Sequence, residues 1–161
     1  MGKFRNLPTM VFRIIKLPPQ VIYTLGFGSI IGRLVLLLTT TGRVTGKLRI
    51  TPLQYERIGG SIFVGSSRGL DSDWVRNIQS DPNVEVRIGS DCWNGFAEVI
   101  DNSERVIDFL KIRLQNHPKM VGAMFKSEGL SKDPTTMELV EYASNIVIVE
   151  IKPVDRYTNY Q

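Results

Sequence analysis

The sequence predicts an α+β fold dominated by strands, a mostly antiparallel β-barrel with peripheral helices. About six short stretches carry strand signals, and they follow one another without the regular crossover helices of a doubly wound sheet. Helical patterns enter late in the chain. Because no repeat, low-complexity tract or linker divides the 161 residues, we expect one domain, with an N-terminal helical or amphipathic segment (1–31), a barrel core (32–152) and a tail (153–161).

The strands are predicted where alternating apolar residues are bounded by turn residues, at about 34–41, 48–57, 61–66, 83–88, 93–101 and 145–152. In "RIGGSIFV", Gly59 and Gly60 supply the turn of a hairpin. In "NVEVRI", Val84, Val86 and Ile88 alternate with charged residues, which predicts a half-buried strand.

Four helices are predicted between and after these strands. "DSDWVRNIQS" begins with residues suited to a helix N-cap and stops before "DP". "SERVIDFLKIRLQN" repeats apolar residues on one side. A short helix restarts at His117-Pro118 and runs through Phe125, and a proline at the first position starts the last helix, to about Ala143.

Composition favours some partners and argues against several site types. The formal net charge is +4 and the pI is near 9.3, which favours an anionic partner such as a phosphorylated cofactor, nucleic acid or an anionic membrane surface. The only cysteine is Cys92 and the only histidine is His117. An intramolecular disulfide is therefore excluded, zinc and Ser-His-Asp sites are disfavoured, no metal site is expected, and an intracellular location is indicated.

The N-terminal region combines cations with apolar residues. "QVIYTLGFGSIIGRLVLLL" has roughly the length of a membrane span, but glycines and Arg33 interrupt it. No clean signal-peptide pattern is present. We expect an amphipathic segment over residues 8–17 that covers the core or, alternatively, touches the inner face of the membrane through its basic face. The expected location is cytoplasmic.

A basic hairpin, "TTTGRVTGKLRITPLQY", is the first candidate for a binding site. On a strand over 48–57, Arg49, Thr51, Leu53 and Tyr55 share one face. Such a mixture suits a ligand with an anionic end and a flat ring. The turn "GRVTG" adds Arg43 and backbone N–H groups that suit a phosphate, although neither a P-loop nor a dinucleotide fingerprint is present. A solvated basic hairpin is the alternative interpretation.

A second stretch, "GSSRGLDSDWVRNI", has the residues of a complementary pocket wall. Ser66, Ser67 and Arg68 fall at a strand end, and Trp74 and Asn77 are three residues apart on one helix face. For Trp74, packing into the core is an equally good interpretation.

These stretches, with "NIQSDPNVEVRIG" and "RLQNHPKM", resemble the deazaflavin-dependent nitroreductase and quinone reductase family. Its members are split β-barrel oxidoreductases related to flavin-binding proteins of the pyridoxamine-phosphate-oxidase type. The resemblance covers roughly residues 20–126 and rests on the combination TTGRxTG, SRG and WxxN. It implies a reduced 8-hydroxy-5-deazaflavin, coenzyme F-420, as cofactor, with flavin mononucleotide (FMN) in the same barrel as the alternative.

The resemblance also implies roles for residues. Arg43 and Arg49 match cations for the cofactor's phosphate and acidic tail, Arg68 replaces a more usual lysine, and Lys47 is an additional phosphate contact. The cofactor-binding set is Arg43, Lys47, Arg49, Thr51, Pro52, Leu53, Ser66, Ser67, Arg68, Trp74 and Asn77. Ser67, Tyr55 and His117 remain alternative proton donors beside solvent.

The expected reaction is hydride transfer from the reduced coenzyme to a hydrophobic acceptor, a quinone, a nitro compound or an unsaturated lipid-like molecule. Residues 112–126 contain no tyrosine, and we expect Met120, Val121, Met124 and Phe125 to form an apolar surface over the cofactor. The alternatives are an FMN enzyme and a non-catalytic cofactor-binding or membrane-peripheral protein. A homodimer is expected, and a nucleic-acid partner is not, because the cations are few.

Overall fold

A computed structural model describes residues 35–154. Its strands are β1 (Val35–Thr41), β2 (Leu48–Ile58), β3 (Ser61–Ser66), β4 (Asn83–Ile88), β5 (Asp91–Ile100) and β6 (Val147–Pro153). Its helices are α1 (Asp73–Ser80), α2 (Ser103–Asn116), α3 (Pro118–Ser127) and α4 (Thr136–Ala143), with a 3₁₀ turn at Gly69–Asp71. Each predicted strand and helix is present, with ends shifted by a few residues at most.

The six strands form a closed antiparallel barrel in the order β1-β2-β3-β6-β5-β4, and pairing of β4 with β1 closes it. α1 connects β3 to β4, and α2 to α4 lie between β5 and β6 in the chain. The predicted antiparallel barrel with peripheral helices is therefore confirmed. A closed barrel pairs every strand on both sides, so no sheet edge is left to template aggregation.

The barrel interior is filled by alternate residues of its strands. Leu36 and Leu38 of β1, Val64 of β3, Val86 of β4 and Val149 of β6 are fully buried in one cluster. Side chains on a strand alternate between its two faces, so each strand supplies every second residue to this core. β1 shows the pattern throughout, with half-buried and buried residues in strict alternation.

A second apolar cluster lies outside the barrel and fixes the last three helices. Phe109 and Leu110 of α2 pack with Val121 and Phe125 of α3 and with Ile148 of β6. The expectation that Val121 and Phe125 form a surface over a cofactor is wrong, because both are 0% exposed. Hydrophobic burial holds both in this cluster, and Met120 and Met124 of the same helix pack against it while only partly buried.

None of the helices within residues 35–154 is long and apolar enough to cross a membrane. The predicted N-terminal segment, 1–31, and nearly all of the predicted tail, 153–161, lie outside the described residues. The predicted domain boundaries and the membrane contact of the N-terminal segment therefore stay predictions.

Candidate cofactor site

The turn between β1 and β2 is closed by two short backbone hydrogen bonds. The Gly42 N–H donates to the Lys47 carbonyl at 2.8 Å, and the Gly46 N–H donates to the Gly42 carbonyl at 2.7 Å. Gly46 has a φ of 68°, a conformation that side-chain-bearing residues rarely adopt. This geometry explains the glycine spacing in "GRVTGK" and places three cations of the hairpin at one end of the barrel.

Asn77 attaches this turn to α1. Its Oδ1 accepts from the Arg43 backbone N–H at 3.1 Å and from Arg43 Nη1 at 3.2 Å. Its Nδ2 donates to Thr40 Oγ1 at 3.2 Å. Asn77 is only 4% exposed, and a buried amide with its donor and acceptor both used rigidifies its neighbourhood. The guanidinium of Arg43 is held further by Asp73, whose Oδ1 lies 3.0 Å from Nη2.

A cleft of about 440 Å³ opens between the turn, β2 and α1, and we call it the basic cleft. Five predicted site residues meet there: Arg43, Arg49, Thr51, Trp74 and Asn77. Trp74 is half-buried: it lines this cleft and also packs against the barrel core.

The cations near this end differ in how they are paired. Arg43 is paired with Asp73, but that carboxylate is 80% exposed, so the pair is weakly held. Lys47, Arg49 and Arg68 are exposed and form no ion pair with any residue in the described range 35–154. Arg49 lines the basic cleft, whereas Lys47 and Arg68 do not. An unpaired guanidinium in a cleft is suited to bidentate binding of a phosphate or carboxylate.

A second cleft of about 220 Å³, which we call the apolar cleft, lies between β2, β3 and the helices. Its lining residues are Pro52, Leu53, Gln54, Gly65, Ser66, Ser67, Phe109, Leu110, Arg113, Met124, Tyr142 and Ile146. Residues 49–51 line the basic cleft and residues 52–54 line the apolar cleft. Successive strand residues are about 3.3 Å apart, so the two clefts follow each other directly along β2.

The two predicted serines have different surroundings. The Ser66 hydroxyl is buried and donates to the Gly69 carbonyl at 3.0 Å, so Ser72 is the donor in their 2.6 Å contact. Ser67 is exposed, lines the apolar cleft and has no side-chain hydrogen bond to any residue between 35 and 154. Ser66 therefore shapes the loop after β3, and Ser67 is the serine available to a ligand.

The other two candidate proton donors, Tyr55 and His117, line neither of the two clefts described within residues 35–154. Tyr55 packs against the barrel core, with the Arg57 guanidinium 5.8 Å from its ring centroid. His117 places Nε2 3.4 Å from Glu56 Oε2 and forms the junction between α2 and α3. Their contacts within the protein favour structural roles for both.

Seven residues that line the apolar cleft were missed from the sequence: Gln54, Gly65, Phe109, Leu110, Arg113, Tyr142 and Ile146. Arg113 had a usable signal. It follows Phe109 by four positions and Leu110 by three, which places a cation on the apolar face of an amphipathic helix. The other six carry no local pattern that distinguishes a cleft residue from an ordinary surface or core residue.

Comparison with known proteins gives one family. The model of the family described as F420H(2)-dependent quinone reductase matches residues 24–127. The chain is 29% identical over 129 residues to the F420H(2)-dependent quinone reductase of Mycobacterium tuberculosis. The matched region covers 78% of this chain and 63% of that relative. The chain thus spans less than two thirds of the length of the curated relative.

Solved structures share the fold. An F420-H2 dependent reductase is 23% identical, with a TM-score of 0.50 over 74% of this chain and 95% of that one. A second solved structure is that of a Listeria innocua protein provisionally described as a pyridoxamine 5'-phosphate oxidase. It is 14% identical, with a TM-score of 0.52 over 78% of this chain and 90% of that one. The barrel is therefore of the pyridoxamine-phosphate-oxidase-like type.

Proposed function

Because the chain belongs to the F420H(2)-dependent quinone reductase family, we propose that it binds reduced coenzyme F-420 and reduces a hydrophobic acceptor. The observation that carries this proposal is the succession of the two clefts along β2, one with cations and one mainly apolar. When bound, a reduced deazaflavin supplies a hydride from its ring carbon, so the protein's task is to bind, orient and exclude water.

In this proposal the basic cleft holds the anionic tail. Arg49, which forms no ion pair with residues 35–154, would bind a phosphate or carboxylate, and Arg43 would exchange its exposed partner Asp73 for the ligand. Lys47 of the same turn and Arg68 after β3 add positive charge. Asn77 contributes by holding the turn in place, since its own polar atoms are already used within the protein.

The ring would lie along the strip Thr51, Pro52 and Leu53, between the two clefts. Trp74 closes this strip on the α1 side and supplies a flat apolar face. Of the predicted proton donors, Ser67 is the one we retain, because its hydroxyl lines the apolar cleft and has no hydrogen-bond partner among the described residues. Solvent is the alternative donor.

The acceptor would enter the apolar cleft, where Phe109, Leu110 and Met124 offer apolar contact. A thioether side chain adapts to irregular apolar shapes, which suits a hydrophobic acceptor such as a quinone. A nitro compound or an unsaturated lipid-like molecule would meet the same surface. We also propose, from sequence alone, peripheral contact of residues 1–17 with an anionic membrane and assembly as a homodimer.

Titration of the purified protein with F-420 and with FMN, followed by fluorescence, tests the cofactor. Binding of F-420 at micromolar concentration or better is expected. Markedly tighter binding of FMN would favour the FMN enzyme of the same barrel. F-420 binding without quinone-dependent oxidation of the reduced coenzyme would instead favour a non-catalytic cofactor-binding protein.

A further inference from the structure

The guanidinium of Arg113 is a buried cation that borders the apolar cleft. Arg113 is 6% exposed and lies on the apolar face of α2, with Cζ 5.7 Å from the ring centroid of Phe109. Removing a cation from water costs several kcal/mol unless close partners offset the loss. If its partners within the protein used every N–H group, Arg113 would have a structural role only.

Those partners use only part of the guanidinium. Nη2 donates to Gln54 Oε1 at 2.8 Å. Nε is 4.0 Å from Glu56 Oε2, which attracts the charge but is too long for a hydrogen bond. Nε and Glu56 Oε2 are both buried, and neither has a hydrogen-bond partner among residues 35–154. Nη1 also forms no hydrogen bond with these residues, but it is not buried. Nε therefore faces Glu56 inside the protein, and Nη1 is the guanidinium group that can donate to a ligand in the cleft that Arg113 lines.

Glu56, the carboxylate beside Arg113, also contacts the end of α2. Its Oε1 accepts from Asn116 Nδ2 at 2.8 Å, and its Oε2 is 3.4 Å from His117 Nε2. Burial lowers the pKa of Arg113, and the charge of Glu56 opposes that change. An arginine starts from so high a value that it remains a cation at neutral pH.

A second polar group borders the same cleft. Tyr142 of α4 is half-buried, packs edge to face on Phe125 and lines the cleft opposite β2. Burial raises the pKa of Tyr142, so its hydroxyl stays protonated and can donate a hydrogen bond. The cleft thus combines a cation and a neutral donor with the apolar side chains of Phe109 and Met124.

We propose that Arg113 makes the apolar cleft an oxygen-binding site for a planar aromatic carbonyl compound, a quinone or its oxyanion form. The ring lies against Phe109 and Met124, and one oxygen accepts from the Arg113 guanidinium, with Tyr142 as a second donor. The choice of a quinone as the ligand of Arg113 rests on the proposed function. In this role Arg113 binds the acceptor and favours oxygen-bearing over purely hydrocarbon ligands, because a hydrocarbon would displace water from the Nη1 group without replacing its hydrogen bond.

The test measures binding to the protein without cofactor. The probes are 2-hydroxy-1,4-naphthoquinone, an anion at neutral pH, and neutral 1,4-naphthoquinone, followed by quenching of tryptophan fluorescence. The wild type should bind both, the anion more tightly. Arg113→Met should weaken anion binding at least tenfold and the neutral quinone less, and Arg113→Lys should retain an intermediate affinity. Lys111→Met, an exposed cation of the same helix, is the matched control and should change neither.

Arg113→Met leaves the Glu56 carboxylate buried without its cation and could destabilise the fold. The double variant Arg113→Met/Glu56→Gln removes both charges, and it should lose affinity for the anionic probe as selectively as the single variant does. Unchanged anion binding in a folded Arg113 variant, or no binding of either probe by the wild type, overturns the inference. F-420 affinity is measured in parallel and should stay within about twofold in every variant. Arg113-dependent quinone binding without F-420 binding would reject the proposed function and leave this site standing.

Discussion

At the scale of the residue, Arg49 shows how pairing separates a binding cation from a structural one. It is exposed at the basic cleft and forms no ion pair with the described part of the chain, whereas Arg43 is tied to Asp73 and Asn77. We expect Arg49→Ala to weaken F-420 binding by on the order of 1–3 kcal/mol, because a charge-assisted contact to an anion is lost. Fluorescence titration measures the affinity. Stability in urea should barely change, since exposed cations contribute little to folding.

Arg57→Ala is the control for Arg49→Ala. Arg57 is an exposed cation of the same strand and lines neither cleft within residues 35–154. Its loss removes the same net charge but should leave F-420 affinity unchanged. Equal effects of the two variants would mean that only net charge matters and that Arg49 makes no direct contact with the ligand.

Asn77 illustrates a residue that acts on the site through packing. Asn77→Ala removes the partner of the Thr40 hydroxyl and of the Arg43 backbone N–H. Leaving buried polar groups unpaired should cost about 1–3 kcal/mol in the free energy of unfolding, measured with urea. Gln79→Ala, at an exposed position of the same helix, should change stability by no more than about 0.5 kcal/mol. An Asn77 variant as stable as the Gln79 control would show that the turn is held by other contacts.

At the scale of the element, the N-terminus of α4 depends on a carboxylate. The backbone N–H groups of Thr135 and Ser131 donate to Glu138 and hold the pKa of that carboxyl below its usual range. A lowered pKa in the folded state stabilises the protein above the pKa of the unfolded chain. That contribution is lost as the pH falls through the folded value. Tyr142 lies on the same helix, so this cap also supports one wall of the apolar cleft.

We therefore expect Glu138→Gln to lower the free energy of unfolding at pH 7. The difference from the wild type should shrink as the pH is lowered through the range in which carboxylates titrate, about pH 4 and below. Urea unfolding at several pH values measures it. Glu141→Gln, on the same helix but outside the capping box, should show no such convergence. A difference for Glu138→Gln that is constant with pH would exclude the charged cap as its cause.

At the scale of the whole molecule, two clefts follow each other along β2, and the sequence predicts a third functional region in the N-terminal segment. "FRNLPTMVFRIIK" carries cations among apolar residues. We expect the protein to cosediment with anionic vesicles at low salt, and deletion of residues 1–17 to abolish this without changing F-420 binding. Release by high salt is the internal control. Undiminished cosedimentation of the deleted protein would place the membrane contact elsewhere.

Patterns within single elements determined much of the architecture in advance. Apolar alternation predicted each strand of the barrel, and an N-cap residue and a proline predicted where α1 and α3 begin, because these signals depend only on neighbours a few positions away. The start predicted for α4 was wrong: the helix begins at Thr136, two residues after the proline, because Thr135 and Glu138 form its capping box. The glycine spacing of "GRVTGK" and the nearby Arg49 likewise predicted an anion-binding hairpin. These residues lie close in sequence, so a short segment contains all the information needed.

Tertiary structure alone decided what surrounds the apolar cleft and which predicted residues are used by the fold itself. Arg113 meets Gln54 across 59 positions of the chain, and Asn77 meets Thr40 across 37. It also assigned Ser66 to a buried hydrogen bond and left Ser67 exposed. No local sequence pattern predicts these long-range contacts, because the barrel closure and the packing of α2 against β3 and β6 bring these side chains together. Sequence by itself therefore determined the elements and the basic hairpin, and long-range packing decided the apolar half of the site.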